Sequence, residues 1–132
     1  MPKRIILAVD DEPLVTRLVQ VNLERAGYEV RTAQDGIEAL EILQSGQTPF
    51  DLVLLDVTMP YMDGFELLHQ MKADPSIKDI PVVMMTARVL DADILHGKEH
   101  GAIGYLPKPV HPVELVNTVR QALGDTEETE TD

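Results

Sequence analysis

The chain has 132 residues, which fits one domain, and 44% of them are hydrophobic, enough for a core and too many for a disordered chain. It contains no cysteine, which excludes a disulfide framework and a cysteine-based zinc site. A net charge of −12 lacks the basic footprint of a nucleic-acid binder, no apolar run approaches the roughly 20 residues needed to span a bilayer, and the run after the N-terminus is too short for a signal peptide, so the expectation is a soluble, unexported, cytoplasmic protein with no direct nucleic-acid or membrane contact.

Strand and helix signals alternate along the chain. Residues 5–9 form a continuous apolar run, as expected of a strand covered on both faces. Pro13 opens a helix with Leu14, Leu18 and Val21 at helical spacing, and Gly27 stops it. Residues 28–32 alternate polar and apolar, which suits an edge strand. Asp35-Gly36 starts a second helix carrying Ile37, Leu40 and Leu43 and closing near Gly46. Residues 52–55 form a second buried strand. Asp63-Gly64 starts a helix with Phe65, Leu68 and Met71 on one face, ended by Asp74-Pro75. Residues 82–85 form a third buried strand. Asp91 caps a helix through about His100, with Gly97 inside it and Gly101 as its stop. Residues 103–106 form the last strand, and Pro112 starts a final helix that turns Leu115, Val116, Val119 and Leu123 to the core and ends at Gly124. These units make up a single domain over residues 1–123. The remaining segment, 124–132, holds five acids, no base and no apolar residue, and is expected to be a disordered acidic tail.

Alternation of this kind implies an α/β domain: a doubly wound, five-stranded parallel sheet with helices on both faces. The amphipathic strand belongs at an edge and the three apolar runs inside, and the flavodoxin-like order 2-1-3-4-5 satisfies both requirements.

Ligands of open α/β sheets bind at the carboxyl edge, and there the strands end on chemically useful residues. The first runs into Asp10-Asp11, the second buried run into Asp56, the third into Thr86, and the last leads through Pro107 to Lys108. Three carboxylates this close repel, and one must take a proton unless a cation joins them. An all-oxygen site points to magnesium, with manganese as the alternative, and magnesium typically combines one or two carboxylates with waters and phosphate oxygens. Asp56 is the best nucleophile candidate, because an aspartate carboxylate accepts a phosphoryl group as an acyl phosphate. Lys108 supplies a point charge and Thr86 a neutral donor to the transferring oxygens. A lone lysine after a strand is usually only a surface lysine, but Pro107 and Pro109 bracket this one, and a cis Lys108-Pro109 bond would aim it into the site.

The motifs Val9-Asp10-Asp11-Glu12, Leu55-Asp56-Val57-Thr58-Met59-Pro60, Met62-Asp63-Gly64, Met85-Thr86-Ala87 and Tyr105-Leu106-Pro107-Lys108-Pro109 occur in order. With them the chain resembles, over residues 4–123, the receiver domain of two-component response regulators, and in particular a single chemotaxis-type receiver. The resemblance implies phosphorylation of Asp56 by a histidine kinase or a histidine phosphotransfer protein. It implies magnesium held by Asp11, Asp56 and the carbonyl of Thr58, with Asp10 acting through water, and Lys108 paired with the phosphoryl group. Thr86 and Tyr105 would form a coupled switch that alters the surface around residues 91–123, where a downstream protein or a second copy of the chain would bind. Thr58 and Arg88 occupy positions that tune phosphoryl lifetime in the family.

Other functions are less well matched. A true phosphatase with an aspartate nucleophile wants a second acid two residues on, where this chain has Thr58, and a lid for which there is no room. A phosphate-independent receiver-like scaffold would lack an acid, the acceptor or the lysine, and all are present. The chain is also compatible with the receiver part of a longer regulator. His96 and His100, four apart, fit a solvated helix surface better than a metal site.

Overall fold

The computed structural model describes residues 3–87 and 101–125. The expected helix over 91–100, Arg88 and the tail beyond Asp125 lie outside the described residues.

Five parallel strands, β1 (Ile5–Val9), β2 (Glu29–Ala33), β3 (Leu52–Asp56), β4 (Val82–Thr86) and β5 (Gly104–Pro107), form one sheet in the order β2-β1-β3-β4-β5. The helices α1 (Pro13–Arg25), α2 (Gly36–Gln44), α3 (Gly64–Lys72) and α4 (Pro112–Leu123) cover it. Every residue of β3 and β4 is buried, which is why these segments read as unbroken apolar runs. The edge strand β2 instead leaves Arg31 and Thr32 exposed and buries Val30 and Ala33.

Side chains alternate across the sheet and divide the core in two. On one face Ile6, Ala8, Leu52, Leu54, Val83, Met85 and Leu106 pack against Val19 and Leu23 of α1 and Leu115 and Val119 of α4. On the other, Leu7, Val9, Val53, Leu55, Val82 and Met84 pack against Ala39 and Leu43 of α2 and Leu67, Leu68 and Met71 of α3. Each fully buried aliphatic side chain contributes about 1.5–3 kcal/mol relative to exposure.

Helix starts differ in kind. Proline opens α1 and α4 without a side-chain cap, whereas Asp35 and Asp63 accept hydrogen bonds from Glu38 N–H (2.7 Å) and Glu66 N–H (2.9 Å) and cap α2 and α3. Two of the apolar residues at helical spacing face solvent: Leu14 is 85% and Ile37 49% exposed. Both lie in the first turn of a helix that begins past the carboxyl edge of the sheet, where no strand remains to pack on. In α1 the inward stripe begins with the half-buried Val15 and Leu18, and the first fully buried side chains are Val19 in α1 and Ala39 in α2.

The last helix ends as glycine predicts, with Gly124 at φ 72 as its left-handed cap. Asp125 is tied to the domain: its carboxylate pairs with Arg4 at 2.8 Å and its N–H donates to the Arg120 carbonyl.

Candidate acidic site at the carboxyl edge

Parallel pairing places the polar strand ends side by side. Asp56 closes β3 opposite Met85, and Thr86 follows opposite Pro107. Asp10 stands one residue past β1, its N–H bonded to the Ala33 carbonyl at the end of β2 (3.1 Å). Lys108 stands one residue past β5, its N–H bonded to the Thr86 carbonyl (2.9 Å), and its bond to Pro109 is cis. Asp10 has the parity of Ile6 and Ala8, and Asp56 that of Leu52 and Leu54, so both carboxylates leave the sheet toward the α1/α4 face.

Asp10, Asp56 and Thr86 are buried, at 1%, 3% and 6% exposure, while Asp11 is exposed at the mouth. The Lys108 ammonium lies 2.9 Å from Asp10 Oδ2 and 3.3 Å from both Asp56 Oδ1 and Glu12 Oε1. Thr58 N–H donates to Asp56 Oδ1 (3.4 Å) and Glu12 N–H to Asp10 Oδ1 (2.9 Å). A cleft lined by Asp11, Glu12, Asp56, Thr58, Ala87 and Lys108 opens over the Asp56 carboxylate.

These charges perturb one another. Burial, and then the charge of Asp10, push the Asp56 carboxyl up to about 6, against the pull of Lys108 and the Thr58 N–H. For Lys108 burial disfavours the ammonium, but Asp10 and Asp56 outweigh it and the pKa is raised, so the lysine is a permanent cation. The carboxylates therefore hold more negative charge than one ammonium satisfies.

Carboxylate oxygens of Asp10, Asp11 and Asp56 lie within 4.8 Å of one another. Asp10 Oδ2 is buried and accepts no aligned hydrogen bond, for the ammonium beside it is off axis. A buried oxygen with spare acceptor capacity in an all-oxygen cluster suits a hard divalent cation. The site thus fits the metal its residues suggested.

The geometry unites Asp10, Asp11, Asp56, Thr58 and Lys108, with Thr86 at the adjoining strand end. Tyr105 stands apart from the acids, half-buried on β5, where it lines a cleft with Val83, Ile103 and the α4 residues Thr118, Gln121 and Ala122. Glu12, read only as part of the acidic motif, proves to be a third carboxylate partner of Lys108. Its position next to the paired aspartates was the available signal.

A doubly wound parallel sheet with a buried acid cluster and a lysine at its carboxyl edge defines a class of α/β domain equipped for a divalent cation and an oxyanion. Residues 6–120 match the response regulator receiver domain, and the chain belongs to that family, a component of two-component phosphorelay signalling. It is 39% identical to the DNA-binding dual master transcriptional regulator RpaA of Synechocystis over 127 residues, which cover 96% of this chain and 51% of RpaA. It is 40% identical to the alkaline phosphatase synthesis transcriptional regulatory protein PhoP of Bacillus subtilis over 122 residues, covering 92% of this chain and 49% of PhoP. The chain thus spans about half the length of these relatives. The structure of the Vibrio cholerae chemotaxis protein CheY4 superimposes with a TM-score of 0.86 at 38% identity, covering 92% of this chain and all of CheY4.

Proposed function

We propose that Asp56 is the phosphoacceptor of this receiver and that its donor is a histidine kinase or a histidine phosphotransfer protein. The observation that carries this reading is the buried Asp56 carboxylate flanked by Asp10, Asp11 and, at 3.3 Å, the Lys108 ammonium. An Asp56 oxygen attacks phosphorus, the phosphorus–nitrogen bond to the donor imidazole breaks, and the imidazole leaves with the bonding pair and takes up a proton. Such transfer needs positioning and charge neutralisation more than covalent help. Magnesium, with manganese as a substitute, would neutralise phosphoryl charge when bound by Asp10, Asp11, Asp56 and the Thr58 carbonyl. Lys108, freed in part from Asp10 and Asp56, pairs with the phosphoryl oxygens, and Thr86 donates to another.

In this reading Thr86 and Tyr105 form the switch, and phosphorylation shifts the population of two conformations of the face built from residues 91–123. That face binds a downstream protein or a second copy. Thr58 and Arg88 set the lifetime of the phosphoryl group; Arg88→Ala changes the decay rate of phospho-Asp56, and equal decay in variant and parent would remove Arg88 from the mechanism. The domain catalyses only its own phosphorylation and dephosphorylation. With a net charge of −12, nucleic-acid contact is assigned to no part of this chain, and output through DNA would come from a further domain of the kind that the name of RpaA implies. Among the described residues no helix is long and apolar enough to cross a membrane, and a cytoplasmic location belongs to the same reading.

The test is phosphoryl labelling from phosphoramidate with and without magnesium, followed by hydroxylamine. The expected label is magnesium-dependent and released by hydroxylamine, as an acyl phosphate requires. A label stable to hydroxylamine would place the phosphoryl group on another residue type.

A further inference from the structure

The loop between β3 and α3 is held in a costly shape. Tyr61 has φ 69, and Met62 N–H donates to the Pro60 carbonyl two residues back (2.8 Å), a tight three-residue turn with positive φ at its centre. A non-glycine residue in that region costs on the order of 1–3 kcal/mol and persists only where the surroundings over-determine it. Tyr61 is 89% exposed, so burial of its own ring does not hold the turn.

Two glycines surround the loop instead. Both α2 and α3 start with Asp-Gly, and in both the aspartate caps while the glycine touches the loop. A Cβ on Gly64 would overlap the Asp56 carbonyl oxygen and lie 2.9 Å from Val57 Cα, and Gly64 N–H already bonds the Val57 carbonyl at 2.8 Å. A Cβ on Gly36 would lie 2.9 Å from the Met62 carbonyl oxygen and 3.0 Å from Met62 Cβ and Cγ. Neither glycine has a positive φ, so each is needed for space and not for backbone freedom. The root of the loop, at the acceptor, and its far end, at Met62, are thus each pressed against a helix start without a side chain.

We propose that Gly36 and Gly64 are positioning residues for the acceptor site: together they clamp residues 56–62 so that the Asp56 carboxylate and the Thr58 backbone face the acid cluster. Gly36 is twenty positions from Asp56 in sequence, and its nearest contacts with the loop are to Met62. The inference rests on the magnesium-binding reading above.

The test compares Gly36→Ala and Gly64→Ala with the parent and with Gly27→Ala. Gly27, at φ 101 in the turn between α1 and β2, has nothing within 4 Å of its Cβ position, so alanine there strains the fold without touching the site. Alanine is the better helix former at positions 36 and 64, so helix propensity alone predicts no loss at either. Magnesium affinity is read by titration calorimetry, and the amide resonances of Val57 and Thr58 by NMR in EDTA. The expected result is weaker magnesium binding, by about tenfold for Gly64→Ala and about threefold for the more remote Gly36→Ala, at and below the low end of what loss of support around metal ligands costs. The Val57 and Thr58 resonances should shift in both, while Gly27→Ala changes neither readout. If Gly64→Ala fails to fold, Gly36→Ala decides. Parent-like magnesium affinity with unmoved Val57 and Thr58 resonances in Gly36→Ala would overturn the clamp. A parent that fails to bind magnesium would defeat the functional reading, and the resonances in EDTA would still judge the clamp.

Discussion

Removing the charge of Asp56 should stabilise the metal-free protein, although it removes a partner of Lys108. The Asp56 carboxyl is raised from 3.8 to about 6, by burial first and by Asp10 second. The folded state therefore holds the proton more tightly than the unfolded chain does. The resulting stabilisation is complete below pH 4, is lost as pH rises through about 6, and is absent at pH 7.5. Two pKa units at 1.36 kcal/mol each make the ionised Asp56 side chain about 3 kcal/mol worse than a neutral one. The asparagine of an Asp56→Asn variant would be neutral at every pH and could still accept from Thr58 N–H, and Lys108 would keep Asp10 at 2.9 Å and Glu12 at 3.3 Å. Urea unfolding of parent and Asp56→Asn in EDTA should then give a variant up to about 3 kcal/mol more stable at pH 7.5, with the gap closing near pH 4. Ionisable groups remote from Asp56 are the same in both proteins and cancel in the difference. A variant less stable than the parent at pH 7.5, or a difference that ignores pH, would refute the account of charge crowding.

Lys108→Ala should act with opposite signs on two measurements. Loss of the cation beside Asp10 and Asp56 tightens magnesium binding severalfold in calorimetry, while phosphorylation by a small donor slows; weaker magnesium binding would contradict the charge balance described here. Tyr61→Gly should raise stability by about 1 kcal/mol in urea unfolding, because glycine accepts the positive φ; a loss of similar size would show that the turn is not strained. Leu54→Ala, in the centre of β3 and fully buried, should cost about 2–5 kcal/mol, and a change below about 1 kcal/mol would mean that the strand is less closely packed than described.

What each element buries decides how legible it is in the sequence. Residues 5–9, 52–55 and 82–85 were legible as strands because both of their faces are covered, so no polar residue interrupts them until the carboxyl edge. The acids, Thr86 and Lys108 stood out for the same reason, as polar ends of apolar runs. The inward faces of α1 and α2 were harder. Leu14 and Ile37 satisfy helical spacing but lie beyond the sheet, and periodicity carries no information on where the sheet stops. Glu12 was legible as an acid but not as a partner of Lys108, ninety-six residues away. The turn at Tyr61 escaped altogether, because a tyrosine gives no sign of positive φ, and the contact of Gly36 with Met62 is a tertiary event between loops. Asp125 reads as the start of a solvated tail, yet Arg4, at the other end of the chain, holds it.

Phosphorylation of Asp56 is tested most directly by intact-mass measurement after incubation with acetyl phosphate. The parent with magnesium should gain about 80 Da, one phosphoryl group in place of a proton, and neither the parent in EDTA nor Asp56→Asn should gain it. An equal gain in Asp56→Asn would move the acceptor elsewhere, and no gain in the parent, under conditions that modify another receiver, would contradict the proposed function.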